Sequence, residues 1–156
     1  MYVKPFGANW QVFKFPIEGG PAAQVSPLPL DAPIVSPDGR SLAVLLVDSE
    51  YPDAEHAKVA LLDFATGNLT KTLDPHPRFD GSVWHWTKDG KALIYPAESN
   101  GAVNLWLFPV NGGPVRQLTH FTSDGIRWFD LSPDGGRLAM VRSTPMSDAV
   151  LLTNFR

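Results

Sequence analysis

The chain contains no cysteine. Disulfides, thiolate nucleophiles and cysteine-ligated metals are therefore excluded, and the redox compartment leaves no mark on the sequence. Charge is also sparse, at 19% of residues with a net charge of -3. Lysine and arginine form no run, which argues against a nucleic-acid partner. No stretch approaches the ~20 apolar residues that a membrane span needs. Residues 1–5 open no apolar run of signal-peptide length. The expectation is a soluble chain without a visible address, and cytoplasm and periplasm both stay open. Helical signals are weak, because no window carries apolar residues at i, i+3, i+4 and i+7 with caps at both ends. There is no glycine-rich phosphate loop, no His-Arg-Asp catalytic loop and no Gly-x-Ser-x-Gly elbow. No catalytic residue and no cofactor are assigned from the sequence.

What the chain has in quantity is proline, glycine and short apolar runs. With 15 prolines, 13 glycines and 44% hydrophobic residues in 156 positions, it can pack one domain built of short strands and tight turns. One turn occurs three times. It reads Ser36-Pro37-Asp38-Gly39, then Thr87-Lys88-Asp89-Gly90, then Ser132-Pro133-Asp134-Gly135. Proline at the second position pre-sets a type I turn, aspartate suits the third, and glycine accepts the left-handed residue that follows. Such a turn joins two antiparallel strands.

The aspartates are 51 and 45 residues apart (89 − 38 and 134 − 89). That period is close to the roughly 40–50 residues of a β-propeller blade. The match extends past the turn. Val35, Trp86 and Leu131 stand three residues before each aspartate, and Leu42, Leu93 and Leu138 four after it. A third apolar strand follows at 58–64, 104–110 and 149–155, and 9–15 looks like the same strand of an earlier unit. Ile17-Glu-Gly-Gly-Pro21 repeats as Val110-Asn-Gly-Gly-Pro114 before short fourth strands. The resulting division is a half blade at 9–26, full blades at about 31–74 and 80–119, and a three-stranded final blade at about 126–155. The fold class expected is all-β, a partial β-propeller of about three and a half four-stranded antiparallel blades.

These residues also resemble a known family. Apolar strand, Ser-Pro-Asp-Gly-Arg/Lys, apolar strand, Leu-Trp-x-x-x-Val-x-Gly-Gly and Gln-Leu-Thr is similar to the TolB-like, WD-type β-propeller repeats of bacteria. The resemblance rests on residues 36–42, 86–93, 105–119 and 131–138 and runs over nearly the whole chain. Lys88 stands where the pattern has proline, and the last blade lacks a fourth strand. The ending, Arg137 to Arg156, resembles the C-termini of bacterial proteins in which such a propeller follows a serine/threonine kinase or winged-helix domain. The resemblance implies a non-catalytic module for protein or ligand binding, in a larger propeller. The alternative it implies is the sensor propeller of a kinase, a winged-helix regulator or a prolyl-oligopeptidase-like hydrolase whose active domain lies elsewhere.

Propellers close with 4–8 blades, so an arc of three and a half leaves strand edges near 10–15 and 150–155 open to pairing. The remaining blades of a larger propeller are the favoured partner. A second copy of the chain comes next, and a strained small ring last. A protein or small ligand is expected at one end of the blades, where rigid strands display variable connections.

Two groups of side chains are weighed as sites. Asp48, Glu50 and Asp53, with Glu55 and His56, form an acidic insertion that a hard cation would favour. The spacing matches no EF-hand, and a solvated loop is the preferred reading. His85 and Trp128 are the candidates for a ligand surface. His85 lies between Trp84 and Trp86, so alternation sends it to the opposite face from both. A hydrogen-bonded structural histidine and an aromatic blade core are the plainer readings. Ser36 and Ser132 are expected to cap turn amides, not to attack substrates.

Overall fold

Short apolar segments punctuated by left-handed glycines give an all-β molecule. The computed structural model describes residues 11–46, 58–74, 77 and 83–144. Among the described residues, twelve strands form four antiparallel sheets in chain order. The first sheet pairs β1 (Phe13–Lys14) with β2 (Ala23–Gln24). The second runs β3 (Leu30–Val35), β4 (Ser41–Leu46), β5 (Lys58–Asp63) and β6 (Leu69–Leu73) in sequence order. The third contains β7 (His85–Trp86), β8 (Ala92–Ser99), β9 (Ala102–Pro109) and β10 (Arg116–Gln117), again each beside the next. The fourth pairs β11 (Gly125–Leu131) with β12 (Leu138–Ser143). The strand expected at 149–155 lies outside the described residues, as do Trp10 and the acidic insertion.

The middle strands read as unbroken apolar runs because both of their faces are buried. Along β4, Leu42 and Val44 enter one core with Val12, Val25 and Leu62. Their neighbours Ala43 and Leu45 enter a different one with Trp84, Trp86, Leu93 and Tyr95. Along β8 the same division holds. Leu93, Tyr95 and Ala97 face the second sheet, whereas Ile94 joins Leu105, Ile126 and Phe129 against the fourth. Three cores thus lie between four stacked sheets. Burial of the Tyr95 ring also pushes its hydroxyl pKa up, and that hydroxyl donates to Pro77 O at 3.0 Å.

Polar groups fix the stacking angle. Trp84 Nε1 donates to Ala32 O at 3.0 Å and Trp86 Nε1 to Ile34 O at 3.2 Å. Both acceptors sit at a bulge in β3, where Ala32 has φ +47° and the register with β4 shifts. Lys14 Nζ reaches Phe64 O and Ala65 O in the second sheet, at 2.9 and 2.6 Å. Lys71 Nζ does the equivalent from the second sheet to the third, meeting Val110 O at 2.6 Å. Within the third sheet, buried Asn104 accepts from Phe121 N at 2.7 Å and donates to Phe121 O at 3.1 Å, pinning the connection after β10.

Gly67 shows how closely the first two sheets approach. It has φ +74°, and a Cβ there would overlap the carbonyl of Val25. Gly112 is also left-handed, with φ +99°, but faces open space. Gly112→Ala should cost only backbone strain, about 1–2 kcal/mol. Gly67→Ala should cost at least about 2 kcal/mol more, because backbone must move. Urea unfolding of the two variants checks this, and equal midpoints would contradict the packing described.

Candidate functional site

The three repeated turns lie at one end of the sheets, and the geometry of each is the same. In the first, Ser36 Oγ donates to Asp38 Oδ1 at 2.7 Å and accepts from Ser41 N at 2.9 Å. Arg40 N also donates to Asp38 Oδ1, at 3.1 Å. In the second, Thr87 Oγ1 bonds Asp89 Oδ1 at 2.7 Å and accepts from Ala92 N at 3.0 Å, and Lys91 N completes the set. In the third, Ser132 Oγ donates to Asp134 Oδ1 and accepts from Arg137 N. The fourth residues, Gly39, Gly90 and Gly135, have φ of +71°, +67° and +71°. Lys88 therefore substitutes for proline without changing the turn. The hydroxyls of Ser36 and Ser132 are spent on a carboxylate and a backbone amide, with no imidazole between. They cap turns.

All three carboxyls titrate below the ordinary aspartate range. The hydroxyl hydrogen bond is the first cause in each case, and the amide two residues on is the second. The carboxylates are consequently negative at neutral pH at the mouths of the clefts they border.

Two such clefts open at this end. One lies between the second and third sheets and has a volume of about 570 Å³. Leu61, Trp86 and Val110 form its apolar floor, and Asp38, Lys71, Lys88 and Asp89 its charged rim. The other lies between the third and fourth sheets, with about 440 Å³. Ile94, Leu107 and Leu131 line it, with Lys88, Asp89 and Asp134 at the rim. Lys88 and Asp89 border both clefts. Adjacent turns nearly touch across them, since a Cβ on Gly135 would lie 3.1 Å from Lys88 Cβ and one on Gly90 3.7 Å from Pro37 Cδ. Glycine is thus favoured at the fourth position by φ in all three turns, and at Gly135 by the closeness of Lys88 as well.

The side chains singled out from the sequence are dispersed. His85 projects away from Trp84 and Trp86 into the joint between the third and fourth sheets. Its Nε2 lies 3.0 Å from Phe129 O, its ring meets Phe129 edge-on at 4.9 Å, and Asp130 is 4.0 Å away. The side chain is 28% exposed. Trp128 is 57% exposed on the outer face of the fourth sheet and lines neither cleft. The proposed cation ligands Asp48, Glu50 and Asp53 lie outside the described residues. Among the described residues no three histidine, aspartate or glutamate side chains gather as metal ligands. Lys88 and Asn111 entered the sequence reading only as members of repeated turns, and Lys71 not at all; all three stand at the cleft rims. The turn repeat places Lys88, but nothing local marks Lys71, which reaches Val110 from 39 residues away.

Sheets of four antiparallel strands, met in chain order and stacked face to face through apolar cores, are the blades of a β-propeller. The fold is that of the TolB-like propellers. A TolB structure from Agrobacterium tumefaciens matches with a TM-score of 0.65 and 21% identity, over 86% of this chain and 46% of that one. A prolyl endopeptidase structure matches with a TM-score of 0.54 and 18% identity, over 80% of this chain and 21% of that one. In sequence, 94 residues are 30% identical to the dipeptidyl-peptidase 5 of Porphyromonas gingivalis, covering 59% of this chain and 13% of that protein. The chain therefore spans less than half the length of each of these relatives. No family model matches it.

The depressed turn carboxyls give a pH prediction. A folded pKa below the unfolded value adds stability that is full above the ordinary aspartate value of 3.8 and lost as pH falls through the folded pKa. Ser36→Ala removes the largest cause at Asp38 only. Carboxyl NMR titration should then show Asp38 moving up toward 3.8 while Asp134 stays low. An unmoved Asp38 would contradict the hydrogen-bond assignment.

Proposed function

We propose that this chain is a non-catalytic binding portion of a β-propeller, taking a peptide or small ligand at the end where the repeated turns converge. The observation that carries this reading is the pair of adjacent inter-blade clefts with shared rim residues Lys88 and Asp89. An apolar floor with a few convergent charged groups is the usual composition of a ligand site. Opposite charges on one rim suit an extended peptide, whose backbone supplies donors and acceptors and whose side chains can pair with either sign. The blades supply rigidity, and the turns supply the chemistry.

The likeness to dipeptidyl-peptidase 5 favours a second reading, in which the arc belongs to a longer peptidase and the chemistry lies on another domain. In that reading the same clefts sense or gate a peptide. The genomic reading frame around the coding segment separates the two, since an in-frame Gly-x-Ser-x-Gly elbow supports the peptidase.

Short peptides with a central arginine or glutamate, titrated into the labelled chain, provide the direct test. Amide shifts should cluster at Lys71, Lys88, Asp89 and Asn111. Lys88→Glu should change the affinity for the charged peptides about tenfold, in opposite directions for the two, equivalent to about 1.4 kcal/mol. Scattered or absent shifts would overturn the assignment of the clefts, and amide hydrolysis by the purified chain would overturn its non-catalytic role.

A further inference from the structure

The two end sheets of the arc expose apolar side chains on their outer faces. On the fourth sheet these are Trp128 and Val141, 57% and 56% exposed, with Ala139 also exposed. On the first they are Phe13, Phe15 and Ile17, at 51%, 70% and 94%. Exposure of this kind is unusual for a repeat unit, which otherwise buries both faces.

The internal repeat identifies what each face is built to meet. Counted from the aspartates of the turns, Trp128, Ala139 and Val141 occupy the positions of Ala32, Ala43 and Leu45. All three of those residues lie in the core between the second and third sheets, on the second sheet's side. Counted back from the proline of each Gly-Gly-Pro turn, Phe13, Phe15 and Ile17 occupy the positions of Trp106, Phe108 and Val110. Those three lie in the same core, on the third sheet's side. The two ends of the chain therefore carry the two halves of one interface that the chain already forms once in its interior.

We infer that a second copy of this chain covers both faces, stacking head to tail so that the fourth sheet of each copy receives the first sheet of the other. One copy offers one half of each kind, so two copies leave neither half exposed. The contact is heterologous, and with two copies it closes on itself as a ring. Closing blades contributed by a longer polypeptide would occupy the same faces, and the experiment separates that source from a second copy.

Light scattering of the purified chain at about 100 μM should give twice the 17.1 kDa chain mass. Trp128→Glu and Phe15→Glu should each give monomers with unchanged far-ultraviolet circular dichroism, because each closes off one half of the contact. Mixed together, the two variants should form a one-to-one pair, since one still carries an intact first sheet and the other an intact fourth. A monomeric wild-type chain would overturn the inference and leave the faces to blades from elsewhere. A dimer of Phe15→Glu alone would overturn the head-to-tail pairing, and a mass that rises past the dimer with concentration would overturn closure. Should either variant lose its β spectrum, Val141→Lys and Ile17→Lys provide the same pair of tests.

Discussion

Two indole hydrogen bonds and the core around them hold the arc together. Trp84 and Trp86 leave the third sheet side by side, cross to the second, and donate to the carbonyls of Ala32 and Ile34. Each indole removes a large apolar area from water and gives a β3 carbonyl a partner, that of Ala32 inside the bulge and that of Ile34 at its edge. Neither sheet could bury this face alone. The interface is therefore part of the folding of each sheet, not a contact added afterwards. His85, between the two indoles in sequence, performs the reciprocal task on the other face by meeting Phe129.

The turns follow from the same constraint. Sheets stacked this closely bring successive turns into contact, and the sequence Ser/Thr-x-Asp-Gly satisfies both requirements. Serine or threonine and aspartate close the turn with their own hydrogen bonds, which frees the backbone from needing proline at the second position. Glycine takes the left-handed residue, and at Gly135 it also leaves room for Lys88 of the neighbouring turn. The clefts are the space left between adjacent turns where the sheets splay. Their charged rims are a consequence of aspartates that must be there for the turn, with lysines added where the sequence is free to vary.

The architecture was legible because its signals repeat. The turn, the apolar positions around it and the Gly-Gly-Pro connection recur at fixed offsets, and agreement among three copies outweighs the ambiguity of any short strand. Alternation also placed His85 opposite its flanking tryptophans. The first sheet was less legible. A strand was expected from residue 9; residues 9 and 10 lie outside the described residues, and among the described ones the ladder covers Phe13–Lys14, with Val12 O held by Val25 N at 2.8 Å beside it. Proline at 16 and the Gly-Gly turn shorten the hairpin. The clefts could not be read at all, because a volume between sheets depends on stacking angle and on partners such as Lys71 and Val110, which no local pattern connects. Asn104 was hidden for a similar reason. Within an apolar strand it looks like an interruption, whereas it satisfies a loop 17 residues on.

Native-state hydrogen exchange on a Trp84→Phe, Trp86→Phe double variant tests this account most directly. Each indole gives way to a smaller phenyl ring, and the two inter-sheet hydrogen bonds are lost, at about 1.4 kcal/mol or tenfold each before the cost of the cavities left. If the joint is part of the folding of both sheets, amides of Val44 and Leu61 in the second sheet should speed up by the same factor, at least about a hundredfold, as those of Leu93 and Tyr95 in the third. Faster exchange in the third sheet with the second unchanged would mean that the sheets fold independently and merely touch.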